Sequence, residues 1–153
     1  MREQVIERIE KEKLIAIVRG VSADQCSKVA NALYAGGVRL MEITYNQKDP
    51  ASWQQTAEAI GALTEEFGGK MLFGAGTVTN VELVELTHAH GGKYIISPDT
   101  NVDVIKRTVE LGMVSLPGAM TPTEVMTAHE AGADFVKLFP AGDLGVSYLK
   151  AIR

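Results

Sequence analysis

The sequence predicts an α/β fold built on a parallel sheet. Two observations carry that reading. Short apolar runs with strand character begin near Leu14, Leu40, Met71, Tyr94, Val114 and Phe135, and helix-like stretches closed by glycine or a polar break lie between them. Strand and helix alternating at intervals of roughly 20 to 30 residues is the pattern of βαβ units. Several of the runs, Ala16-Ile17-Val18 and Tyr94-Ile95-Ile96 among them, are apolar on both faces, as strands are when helices cover one side and a packed interior the other.

The elements follow in order. Residues 1–13 form a charged amphipathic helix ahead of the first strand. In 22–37, Ser22 can cap a helix, Val29, Ala32 and Leu33 make an apolar stripe, and Gly36-Gly37 ends it. A second helix spans 50–67 and stops at Gly68-Gly69. A third spans 79–90, with Thr79 at its start and Gly91-Gly92 after it. The helix at 101–111 ends at Gly112. Thr121-Pro122-Thr123-Glu124 is a start signal, with proline at the first helical position and glutamate just inside, and that helix ends at Gly132. The last helix, 146–153, carries no stop signal. Six βα units are visible, and no linker or low-complexity segment divides residues 1–153, so one domain is expected.

Composition excludes several classes. With 46% hydrophobic residues, 22% charged and a net charge of −4, the chain is neither disordered nor marked for nucleic acid. No apolar stretch approaches the roughly 18 residues that span a membrane. The charged N-terminus does not read as a secretory signal. The single cysteine, Cys26, cannot form an internal disulfide, which fits a cytoplasmic location.

Charge inside apolar strands points to chemistry. Lys137 sits in Phe135-Val136-Lys137-Leu138-Phe139-Pro140, and alternation puts Phe135, Lys137 and Phe139 on one face. A lysine turned into such an interior loses hydration, which disfavours the ammonium and suits an amine that attacks carbonyls. The alternative is a lysine at a strand end, reaching solvent or pairing with a carboxylate. Glu42 interrupts Leu40-Met41-Glu42-Ile43-Thr44 and shares a face with Leu40 and Thr44. It reads either as the ion-pair partner of Lys137 or as a general acid/base beside it, and the two are compatible. Arg19 ends the first strand, where a guanidinium suits a carboxylate or phosphate, or is a surface residue. Gly74-Ala75-Gly76-Thr77 lets the backbone approach a ligand after the third strand, and matches neither a dinucleotide fingerprint nor a P-loop. Ser97-Pro98-Asp99 and Leu116-Pro117-Gly118 are ordinary turns that share this position late in a strand, the edge that carries ligands in parallel α/β folds. His88, His90 and His129 read as surface residues rather than metal ligands, because two residues apart on a helix is not one face. Trp53 and Tyr45 read as packing or rim residues.

Glu42, the Gly-Ala-Gly-Thr turn, Ile96-Ser97-Pro98, Leu116-Pro117-Gly118 and Val136-Lys137-Leu138-Phe139-Pro140-Ala141, in that order, resemble the 2-keto-3-deoxy-6-phosphogluconate (KDPG) and 4-hydroxy-2-oxoglutarate (KHG) aldolase family. The resemblance covers almost the whole chain. It implies a (β/α)₈ TIM-barrel fold, class I aldolase chemistry on a 2-keto acid yielding pyruvate and an aldehyde, no metal or organic cofactor, and a homotrimer. Lys137 matches the Schiff-base lysine and Glu42 the acid/base. Thr77 and Pro98 match the lining of the pyruvyl pocket, with Thr44 and Gly76 beside it. Phe139 matches the aromatic next to the lysine, and Arg19 an arginine near substrate in part of the family. Two departures stand out. Asn46 occupies the place where many members carry an arginine that holds an acidic group, so either charge recognition is weaker at that point or Arg19 carries more of it. Members also continue through two more strands whose glycine turns hold phosphate. The expectation is therefore a barrel incomplete by two units, either catalytic or active only within a longer chain or oligomer. Substrates of the phosphogalactonate type or without phosphate are the alternatives in specificity.

Overall fold

The computed structural model describes residues 2–153. Helix α1 (Arg2–Glu12) precedes strand β1 (Ile15–Val18). There follow α2 (Ala23–Ala35), β2 (Leu40–Thr44), a single 3₁₀ turn at Pro50–Ser52, α3 (Trp53–Phe67) and β3 (Leu72–Gly76). The chain continues through α4 (Val81–Ala89), β4 (Tyr94–Ile96), α5 (Val102–Glu110), β5 (Val114–Leu116) and β6 (Gly118–Ala119). It closes with α6 (Pro122–Glu130), β7 (Lys137–Leu138) and α7 (Ala141–Ile152), the last broken at Gly145, whose φ of 74° and ψ of 172° are not helical. Strands β1 to β5 form one parallel sheet in sequence order, and β6 pairs in parallel with β7.

The fifth predicted strand thus ends at Leu116, and the stretch after Pro117, predicted as a turn, forms the short strand β6. Proline has no N–H to give the ladder. Leu116 still accepts from Ser97 N on the β4 side, while the Pro117 carbonyl accepts from Lys137 N at 2.8 Å on the other. Phe135 N donates to the Ser115 carbonyl and Phe139 N to that of Ala119, so the backbone from 135 to 139 follows the fifth strand throughout. Only Lys137–Leu138 is regular strand, shorter than the run predicted from Phe135.

Two apolar layers account for strands that are hydrophobic on both faces. On the outer face Met41, Ile43, Phe73, Ala75 and Ile95 pack with Ile60, Leu63, Leu83, Val84 and Val104 of the helices. On the inner face Ile15, Leu40, Leu72, Tyr94, Ile96, Val114, Leu116 and Phe135 meet Val5, Ile6 and Ile9 of α1. Helix α1 therefore plugs the barrel-type interior from below and leaves the other end, at the strand C-termini, for polar groups. Arg2 extends this plug. Its guanidinium pairs with the Asp134 carboxylate at 2.7 Å, and Asp134 also accepts from Ser115 N, which ties the β7 segment to α1 and β5.

Several starts and stops differ from the predicted ones in instructive ways. Ser22 is the N-cap of α2 but makes no side-chain cap bond. The buried stripe of α2 is Cys26 and Ala30 flanked by Val29 and Leu33, and Ala32 is exposed. Asn80 caps α4 by accepting from Leu83 N, and the Thr79 hydroxyl donates to Gln47 Oε1 instead. The Thr121–Glu124 capping box forms in full, in the predicted place. No helix among the described residues is long and apolar enough to cross a membrane.

Candidate active site

Glu42 lies on the inner face of β2, in register with Ile17 of β1 and Gly74 of β3. It is 2% exposed, and its Oε2 atom has no hydrogen-bond partner among the described residues. Burial pushes its carboxyl above the usual carboxylate range, while Lys137 and Arg19 pull it partly back. Space for this carboxyl comes from a residue that has no side chain. A Cβ at position 76 would stand 2.8 to 2.9 Å from the Glu42 carboxyl atoms, closer than real side chains pack. Gly74 plays the same part for Tyr94, whose ring fills the place of a β3 side chain below Glu42.

Lys137 is half-buried on β7, opposite Gly118 of β6. Its Nζ stands 4.6 Å from the centroid of the Phe139 ring, within cation–π range. The ion pairs among the described residues are Arg2–Asp134, Arg8–Glu12, Arg107–Glu85 and Arg107–Glu110. Glu42 and Lys137 therefore act on each other electrostatically without a direct ion-pair contact. Pro98 is linked to the lysine strand through Gly118, where any Cβ would run into the Pro98 carbonyl.

Arg19, Thr44 and Thr77 come together with Asn46, Gln47 and Lys48 around a cavity of about 360 Å³ at the C-terminal ends of β1 to β3. Glu42, Pro98, Lys137 and Phe139 lie outside this cavity. Thr77 has φ 59°, a left-handed backbone that is unusual for a β-branched residue and costs about 1 kcal/mol. Asn46 spends its side-chain oxygen on Lys48 N at 3.0 Å and its carbonyl on Trp53 Nε1 at 2.9 Å, so it shapes its own turn. Tyr45 is a packing residue: its hydroxyl is buried against that of Thr87, and burial pushes it up to about 12. His90 binds the Leu86 carbonyl through Nδ1, His88 is exposed, and His129 lies in the last turn of α6.

Two residues of this region were not evident in the sequence. Asp134 anchors the lysine strand to a partner 132 positions away, and nothing local marks it. Gln47 lies in an exposed loop of polar residues, yet its amide reaches Thr77 and Thr79 in the next loop.

A parallel sheet filled on its inner face and carrying a buried carboxyl and a lysine toward its C-terminal edge defines a (β/α)₈-barrel-type protein with an enzyme-like site. The chain belongs to the KDPG and KHG aldolase family, whose model matches residues 5–153. It is 38% identical over 143 residues to the 2-dehydro-3-deoxy-6-phosphogalactonate aldolase of Escherichia coli K12, covering 94% of this chain and 67% of that one. Among solved structures, native KDPGal superposes with a TM-score of 0.81 at 37% identity, over 90% of this chain and 64% of the other. KDPG aldolase from Legionella pneumophila, solved with pyruvate captured as a covalent carbinolamine, superposes with a TM-score of 0.79 at 27% identity, again over 90% and 64%. The chain spans about two thirds of the length of these relatives.

Proposed function

We propose that this chain carries the imine-forming centre of a class I aldolase that cleaves a 2-keto-4-hydroxy acid to pyruvate and an aldehyde. The observation that carries the reading is the buried, unpartnered Glu42 carboxyl facing the same barrel interior as Lys137, in a chain of this family. The neutral Lys137 amine attacks the keto carbon, and loss of water from the carbinolamine leaves an iminium. Glu42 takes the proton of the 4-hydroxyl through water as the C3–C4 bond breaks, its electron pair flowing into the iminium to give an enamine. The aldehyde departs, C3 is protonated, and hydrolysis of the imine frees pyruvate and the amine. The iminium is the electron sink, so the step as written uses no metal or organic cofactor. A carboxyl lifted by burial holds and releases a proton nearer neutrality than a solvated one, as a shuttle requires.

Thr77 and Pro98 line the pyruvyl end in this reading, with Phe139 against the lysine and Thr44, Gly76 and Arg19 around the approach. The likeness to the Escherichia coli phosphogalactonate enzyme and to a KDPG aldolase supports a sugar-acid substrate, and the first favours the galactonate epimer. A designed cage built by fusing symmetric oligomeric domains, 38% identical to this chain, supports assembly as a homo-oligomer. Borohydride reduction in the presence of pyruvate, followed by peptide mass mapping, tests the chemistry. The expected adduct is on Lys137, and Lys137→Ala is expected to remove it. A folded protein that gives no adduct there would overturn the mechanism. Turnover of the galactonate and gluconate epimers, with and without phosphate, separates the substrates.

A further inference from the structure

Gln47 spans two loops at the open end of the sheet. From the loop after β2, its Nε2 donates to the Thr77 carbonyl at 2.7 Å, and its Oε1 accepts from the Thr79 hydroxyl at 2.9 Å. Both ends of one amide are thus spent on the loop after β3. That loop is held from the other side as well, where Val78 N donates to the Ile96 carbonyl and Asn101 Nδ2 to the Thr79 carbonyl. The residue between these restraints, Thr77, is one of two non-glycine residues with positive φ among the described residues. Its hydroxyl forms no hydrogen bond among the described residues, and it borders the cavity shared with Arg19 and Thr44.

We infer that Gln47 is a positioning residue for keto-acid binding: by gripping the Thr77 carbonyl it fixes the left-handed backbone and so the direction of the Thr77 side chain. The inference rests on the aldolase reading for what Thr77 binds, and on this geometry alone for what Gln47 holds. The grip needs a neutral amide, one donor and one acceptor on the same planar group. A carboxylate keeps the bond from Thr79 and turns a lone pair toward the Thr77 carbonyl. Alanine loses both.

The test uses Gln47→Ala and Gln47→Glu in this chain. Three quantities are read: the pyruvate concentration giving half-maximal borohydride trapping, the melting temperature, and amide hydrogen exchange of a peptide covering residues 74–80. Losing two modest hydrogen bonds corresponds to about a tenfold rise in half-saturating pyruvate in Gln47→Ala, and Gln47→Glu, which keeps the Thr79 bond but turns a lone pair on the Thr77 carbonyl, should raise it as well. Maximal trapping should stay close to wild type, the melting temperature should fall by no more than a few degrees, and exchange over 77–79 should quicken. A merely structural staple would lower the melting temperature and leave half-saturation where it was, which overturns the inference. If wild type traps no pyruvate at all, the aldolase reading has failed instead. The exchange measurement then still decides whether Gln47 holds Thr77, and unchanged exchange in both variants would overturn that.

Discussion

Glu42 carries an uncommon load for a carboxylate. It is 2% exposed, and two cations, Lys137 and Arg19, act on it only through space. The sign of its effect on stability follows from this. Its carboxyl titrates higher folded than unfolded, so the folded state binds more protons, and stability falls as pH rises from the ordinary carboxylate range through the raised value. Glu42→Gln removes that penalty. The variant should melt above wild type at pH 8, and the gap should close as pH falls toward about 4.5, which thermal melts across pH will show. The same variant should keep pyruvate trapping on Lys137 and lose cleavage by roughly 10²- to 10⁴-fold, the usual worth of a positioned acid/base. Loss of trapping and cleavage together would instead place Glu42 in imine formation.

At the scale of elements, the segment bearing Lys137 is short and depends on its anchors. Asp134, its side chain 7% exposed, satisfies Ser115 N and the Arg2 guanidinium together. Asp134→Ala should therefore cost about 2 to 3 kcal/mol in urea denaturation. Thr121→Ala, which opens the exposed capping box of α6, should cost about 1 kcal/mol. The ordering of these two losses checks whether the β7 anchor outweighs a helix cap. The elements themselves were largely legible in sequence, because glycine stops, caps and apolar runs are local signals. The strands carrying Glu42 and Lys137 announced those residues by their lone charges. The strand pairing of Gly118–Ala119 beyond Pro117 was not legible, since it depends on the distant Lys137–Leu138 neighbour that this stretch meets. Asp134 and Gln47 escaped for the same reason: each acts on a group far along the chain or in another loop, and polar residues in a loop look alike until their partners are known.

Over the whole molecule, the sheet is unequally protected. Strands β2 to β4 each have two neighbours, whereas β1 pairs only with β2 among the described residues, and its Ile17 is 60% exposed. Hydrogen exchange should follow that gradient, with amides of β2 to β4 slowest and those of β1 faster under native conditions. Uniform protection across the five strands would mean that the β1 edge is covered in solution, as an assembly between copies would do.

Strand β3 gives the barrel interior room more than it gives side chains. Its two inward glycines each cede a volume to one neighbour, Gly74 to the Tyr94 ring and Gly76 to the Glu42 carboxyl. Positions 74 and 94 are thus one shared volume, and 76 and 42 another. Among homologous chains, residue size within each pair should vary in opposition: a larger residue at 74 accompanies a smaller one at 94, and position 76 stays glycine wherever 42 stays glutamate.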